Sequence, residues 1–128
     1  DLLRLSRTGQ FGGTVRYSAP EQVTSSKADV DGRTDLYALG LLLYELVSGR
    51  HPLPRGGLVT TMRAQLEVVP DPLGSVTSDV SPFFEALVHA LLPKAPDERL
   101  ASAEEVIGIL DEGEEGAWWQ TQASRPGA

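Results

Sequence analysis

The sequence predicts an all-α fold, on three observations. Ten of the twelve residues from Leu36 to Val47 are apolar, a run broken only by Gly40 and Glu45. Twelve residues suit a buried helix better than a buried strand. Three later segments place apolar residues at helical spacing, and two of them follow a capping residue. No stretch of strand length alternates apolar and polar residues convincingly.

The elements follow in order. Residues 1–19 lack a sustained helical period; Gly9, Gly12 and Gly13, with Ser6, Thr8 and Thr14 among them, read as a hydroxyl-rich loop. Pro20 can open a short helical turn at Glu21-Gln22-Val23. Residues 24–33 are again loop. Thr34 or Asp35 can cap the apolar helix, and Ser48-Gly49 followed by Pro52 ends it. A helix apolar on nearly all faces has to be enclosed, which makes this one the central post of the domain. Leu58, Val59, Met62 and Leu66 mark a helix over 58–67, and Pro70, Pro72 and Gly74 break the chain after it. Ser81-Pro82 starts a helix through Leu92, with Phe84, Leu87, Val88 and Leu91 on one face; Pro93 and Pro96 stop it. Ser102-Ala103-Glu104-Glu105 fits a capping box and opens a helix with Val106, Ile107 and Leu110 inward. Residues 111–128 turn acidic and glycine-rich and read as a linker or tail. Its Trp118-Trp119 pair either packs back on the helices or anchors a neighbouring segment.

Composition narrows the function. The 128 residues amount to one domain, and 41% hydrophobic with 23% charged residues is globular composition. A net charge of −7 disfavours nucleic acid and anionic lipid as partners. There is no cysteine, which excludes disulfides, thiolate metal sites and a thiol nucleophile. The longest apolar run is too short to span a bilayer. Charge is unevenly spread: residues 1–66 carry net +2 and residues 67–128 net −9. Arg4, Arg7 and Arg16 make the opening segment locally basic, either as a solvated loop or as a loop that meets phosphate groups.

Three motifs stand in order. Gly13-Thr14-Val15-Arg16-Tyr17-Ser18-Ala19-Pro20-Glu21-Gln22 resembles the end of the activation segment in protein kinases. Asp35-Leu36-Tyr37-Ala38-Leu39-Gly40, running on to Tyr44-Glu45-Leu46 and Gly49-Arg50-His51-Pro52, is similar to the buried central helix of that family's C-terminal lobe. Pro96-Asp97-Glu98-Arg99 with Ser102-Ala103-Glu104-Glu105 resembles its late Pro-x-x-Arg turn and last helix. Order and spacing agree over residues 13–110, and Glu-Gln after Ala-Pro looks most like bacterial serine/threonine kinases. Ala38, Ala95 and Leu53 depart from residues common in the family without disturbing the pattern.

The resemblance implies a mainly α fold: the C-terminal helical lobe of a kinase, with the N-terminal lobe and catalytic loop absent. Residues 1–24 would hold the activation segment and Ala-Pro-Glu motif, 25–110 the helical lobe around a central helix near 34–48, and 111–128 the tail. It implies that Glu21 and Arg99 pair in the interior, where residue types alone leave room for two unrelated surface charges. It gives Asp35 the carboxylate that accepts from the catalytic-loop backbone, beside its reading as a helix cap. It assigns Gly13 and Thr14 to substrate positioning, and Ser6 and Thr8 to phosphorylation. Gly40, costly within a helix by about 1 kcal/mol, would allow close packing.

The complete enzyme would transfer the γ-phosphoryl group of ATP, with Mg2+, to Ser or Thr hydroxyls of a protein substrate, on the cytoplasmic side. The missing N-terminal lobe would be this chain's partner. The sequence contains no Gly-x-Gly-x-x-Gly, no His-Arg-Asp and no Asp-Phe-Gly. Its two lysines, Lys27 and Lys94, stand in the wrong context, and His51 and His89 read as non-catalytic. The polypeptide by itself is therefore expected neither to hold ATP nor to phosphorylate. The competing reading is a non-catalytic, kinase-like helical scaffold that docks partners.

Overall fold

The computed structural model describes residues 15–24 and 30–124. Seven α-helices are present among them: α1 (Pro20–Val23), α2 (Gly32–Ser48), α3 (Leu58–Glu67), α4 (Leu73–Val76), α5 (Pro82–Ala90), α6 (Ala103–Glu112) and α7 (Ala117–Ala123). Two 3-10 turns, Pro96–Glu98 and Gly113–Glu115, join the later ones. No strand occurs among the described residues.

The central helix begins earlier than its apolar run. Asp31, not Thr34 or Asp35, is the cap: its carboxylate accepts from the Arg33 N–H at 2.9 Å, and the Thr34 hydroxyl accepts from the Asp31 N–H at 3.2 Å. A carboxylate at the cap with a hydroxyl three residues on satisfies two of the free amides at a helix start. Thr34 is thereby drawn inside the first turn and buried. The other end follows expectation, with Gly49 in the left-handed region at φ 79° and its N–H on the Glu45 carbonyl.

Two apolar clusters flank α2. One gathers Tyr37, Leu41 and Tyr44 with Leu53, Ala64, Leu73, Val88 and Leu92. The other gathers Leu36 with Leu87, Leu91, Leu100, Val106 and Ile109. Gly40 lies where α2 meets the end of α5. A Cβ added there would stand 2.7 Å from Leu92 Cδ2 and 2.9 Å from Leu91 Cβ, so glycine sets the approach of the two helices. Enclosure is one-sided, however. Leu42 is 44% and Leu46 70% exposed. Helix-wide apolarity says that a helix seeks cover, and these residues supply cover on one side only.

Other faces differ from the sequence reading. In α3 the apolar residues point outward: Leu58, Val59 and Leu66 are exposed, while Thr61, Ala64 and Gln65 are buried against the chain near α1. Periodicity marks a stripe but not the side that faces in. In α6, Ile107 and Leu110 are exposed, and Val106 with Ile109 forms the inward pair. Ser102 caps α6 through the Glu105 N–H, whereas the Glu105 carboxylate accepts from Ala101 rather than from the cap. The loop after Pro70 contains the α4 turn, and α5 ends at Ala90 rather than Leu92.

Residues read as a linker or tail carry helix instead. Gly113, at φ 61°, turns the chain after α6, and α7 lays Trp118 and Trp119 edge-on against the Phe83 ring at 6.1 and 5.8 Å. These half-buried edge-on ring contacts offset the acidic, glycine-rich composition there. Residues 125–128 lie outside the described part.

Candidate functional site

The site is built where the segment 15–24 is fastened to the helical body. Side chains from α2, the loop after it, α3 and the turn before α6 hold it.

The strongest fastening is Glu21 with Arg99. Glu21 sits in the first turn of α1, where a carboxylate suits the helix dipole. Arg99 follows the 3-10 turn at Pro96 and reaches back to it. The guanidinium bonds both carboxylate oxygens, each at 2.8 Å, and the pair is buried, with 0% and 3% of the two side chains exposed. Its remaining N–H groups donate to the carbonyls of Pro93 (2.8 Å), Arg33 (2.9 Å) and Lys94 (3.0 Å). All five guanidinium donors are therefore used. The Thr34 hydroxyl donates to Glu21 at 2.7 Å. Burial by itself pushes the Glu21 carboxyl upward, but the bonds from Arg99 and Thr34 outweigh it and hold the group below its ordinary value.

Gln65 is the second fastening. It is fully buried on α3, and its amide donates to the carbonyls of Val15 (2.9 Å) and Arg16 (2.8 Å). The third is His51. Its Nε2–H donates to the Arg16 carbonyl at 2.8 Å, while Nδ1 accepts from the Leu53 N–H at 3.1 Å. That pattern selects the neutral Nε2–H ring, and burial lowers the His51 pKa to match. The fourth is Glu45 on α2, which accepts from the Tyr17 hydroxyl; the Tyr17 ring also meets His51 edge-on at 5.1 Å. That hydrogen bond, and then burial, raises the Tyr17 pKa.

Tyr37 links the fastenings. The Arg99 guanidinium lies 4.8 Å from its ring centroid, Lys94 Nζ donates to its hydroxyl at 3.0 Å, and the hydroxyl reaches Gln65 at 3.4 Å. Lys94 also donates to the Ala64 carbonyl at 3.3 Å. Burial, with the Arg99 charge beside it, lowers the Lys94 pKa to about 8.

The structure brings Glu21 and Arg99 together and sets Gly40 in a helix crossing away from them. Asp35 lies exposed on the first turn of α2, and its side chain bonds no other described residue. Gly13, Thr14, Ser6 and Thr8 lie outside the described residues. Sequence reading did not single out Gln65, Tyr37, Thr34, Lys94 or His51 as fasteners. The available signal was the small and polar stripe Thr61, Ala64, Gln65 running opposite the apolar one in 58–67. Gln65 is an interior amide because two carbonyls of an irregular segment need donors.

The arrangement positions backbone; it presents no nucleophile with a base. Among the described residues no group of three His, Cys, Asp or Glu side chains could hold a metal ion. No helix among them is long and apolar enough to cross a membrane.

Comparison with known proteins agrees with the motif order. The family model described as protein kinase domain matches residues 3–108. Serine/threonine-protein kinase Pkn1 of Myxococcus xanthus is 41% identical over 97 residues, covering 76% of this chain and 14% of that protein. PksC of Streptomyces coelicolor is 37% identical over 97 residues, covering 76% and 17%. PknB of Mycolicibacterium smegmatis is 33% identical over 112 residues, covering 88% and 18%. The chain thus spans less than a fifth of the length of these relatives. With the match running from residue 3 to residue 108, the chain belongs to the protein kinase family, and its relatives are bacterial serine/threonine kinases.

Proposed function

We propose that this chain is the substrate-positioning, structural part of a serine/threonine protein kinase. In the complete enzyme the reaction would move the γ-phosphoryl group of ATP, with Mg2+, to a Ser or Thr hydroxyl of a protein. The carrying observation is the fastening of residues 15–24 by Glu21–Arg99, Gln65, His51 and Glu45. A segment that presents a substrate must hold one backbone shape, and buried bonds to its carbonyls supply that.

The described residues do not fit ATP or Mg2+, so no phosphoryl step is assigned to them. Lys94, the one described lysine, is already bonded to Tyr37 and Ala64. Phosphate chemistry therefore belongs to other parts of the enzyme. Asp35, Leu42 and Leu46 share one face of α2 at intervals of seven and four residues. That uncovered face suits packing by the rest of the kinase, with Asp35 receiving backbone N–H groups there. Gly13 and Thr14 would position the acceptor segment, and phosphorylation at Ser6 or Thr8 would add negative charge to a stretch of sequence that also holds Arg4 and Arg7.

The test is transfer of labelled phosphate from ATP to Ser/Thr peptides by the complete protein encoded around this chain. Transfer is expected from the complete protein and none from these 128 residues alone. A complete protein that lacks transfer, and lacks the lysine, Asp and Asn that phosphoryl transfer requires, overturns the proposal in favour of the scaffold.

A further inference from the structure

A cavity of about 740 Å³ lies away from the fastened segment, between α5, the chain before α4, and α7. Its walls are mostly apolar: Val69, Pro70, Pro82 and Ala86 contribute, with the half-buried Trp119 on the α7 side. That size and character suit a small ligand. Glu85 is the one charged residue among the described residues that line it. Its carboxylate has a set place on the wall: Oε2 accepts from the Gly74 N–H at 2.8 Å, just after the lining Pro72. Oε1 bonds no described residue, and no described cation pairs with Glu85. His89, one turn further along α5, also lines the cavity. Its Nε2 accepts from the Leu73 N–H at 3.0 Å, which leaves a neutral ring with its proton on Nδ1, and burial lowers its pKa to match. His89 therefore brings no charge to compete for Glu85. A smaller cavity of about 190 Å³ shares Val69, Pro70 and His89 and reaches Leu92 and Pro93. Lys94 is on its wall, with Nζ given to Tyr37 and Ala64.

We propose that the larger cavity is a binding site for apolar amines, with the ligand's ammonium group on Glu85 and its hydrocarbon or aromatic body against Trp119 and the prolines. A protonated amine supplies the donor that Glu85 Oε1 lacks, in a charge-assisted bond to a carboxylate already held in place. The apolar walls reward a carbon body by burial, and an indole face attracts a cation. Residues 67–128 carry net −9, so the field around the cavity draws cations and disfavours carboxylic acids. An inorganic cation gains nothing from the apolar walls.

The experiment measures binding to the complete protein by calorimetry, with three probes that share one body: phenylbutylamine, phenylbutanol and phenylbutyrate. The amine should bind with a Kd below about 1 mM, about tenfold tighter than the alcohol, and the acid should bind more weakly than the alcohol. Glu85→Gln keeps an acceptor for the Gly74 N–H and should bring the amine to the level of the alcohol. Because the two probes are compared within one preparation, partial misfolding of the variant cancels. Ala86→Phe puts a ring into the cavity and should weaken amine and alcohol together. No amine binding by the wild type, or an amine that binds no tighter than the alcohol, overturns the proposal. An amine preference that survives Glu85→Gln overturns it as well, by placing the cation elsewhere on an acidic surface. The same holds for binding that Ala86→Phe leaves unchanged, and for an acid that binds as tightly as the amine, which points to Lys94 instead.

Discussion

Replacing Glu21 with glutamine isolates the charge at the centre of the site. Size and shape are kept, and the two oxygens become one oxygen and one NH2 group. Arg99 then remains charged in the interior, with three of its five N–H bonds going to the carbonyls of Pro93, Arg33 and Lys94. Of the two bonds to Glu21, one loses its acceptor and meets a donor instead. The Thr34 hydroxyl, now on Glu21 at 2.7 Å, competes for the oxygen that is left. Breaking one side of a buried ion pair costs about 3–5 kcal/mol. One surviving bond puts Glu21→Gln near the lower end, about 3 kcal/mol, or roughly 150-fold in the folding equilibrium.

Urea unfolding at neutral pH measures this directly. A companion double variant, Glu21→Met with Arg99→Met, leaves no charge behind. It should be less destabilised than Arg99→Met alone, which strands a carboxylate and three carbonyls together. Acid gives an independent check. The folded Glu21 pKa lies below its ordinary 4.5, so wild-type stability from this group is complete above 4.5 and is lost as pH falls through the folded value. Glutamine does not titrate, and the gap between variant and wild type should close in acid. A loss under about 1 kcal/mol at neutral pH, or a gap indifferent to acid, would refute the reasoning.

Three further outcomes are expected. Gly40→Ala drives a methyl into Leu91 Cβ and Leu92 Cδ2; overpacking of about 1–3 kcal/mol exceeds the roughly 1 kcal/mol of helix propensity regained, and a lower urea midpoint should show it. His51 and His89 each accept a backbone N–H, from Leu53 and Leu73, and burial lowers both pKa values from 6.5. Their stability contribution is complete above 6.5 and declines as pH falls toward the folded values; a His51→Gln, His89→Gln variant should show a flatter slope in that window, and equal slopes count against the assignment. Phe83→Ala removes the ring that holds Trp118 and Trp119, so tryptophan emission should shift to the red and protease cleavage near Ala117–Ala123 should quicken, at a cost of about 2–4 kcal/mol or less, given the partial exposure of all three rings.

Much of this was legible from local pattern. The apolar run of α2, the Gly49 stop, the Ser81-Pro82 start and the Ser102 cap are short-range features, because a cap or a helix period involves residues within one or two turns. Family membership was legible for a related reason: Ala-Pro-Glu, the central helix and Pro-x-x-Arg occur in a set order along the chain. The resemblance to protein kinases also implied that Glu21 and Arg99 pair across 78 positions, which residue types alone left undecided.

The sequence by itself determined the helical class, most element starts and stops, and which residues carry the kinase pattern. Only the tertiary structure decided which faces look inward. Leu58, Val59 and Leu66 were free to face out because the inner side of α3 had to supply Gln65 to the carbonyls of Val15 and Arg16. The same is true of Leu42, Leu46, Ile107 and Leu110, whose exposure depends on what lies opposite them rather than on their own hydrophobicity. It also decided that Tyr37 joins the Arg99 and Gln65 fastenings, and that Trp118 and Trp119 close on Phe83. Burial and hydrogen-bond satisfaction are properties of what surrounds a residue, and for these positions the surroundings come from distant parts of the chain.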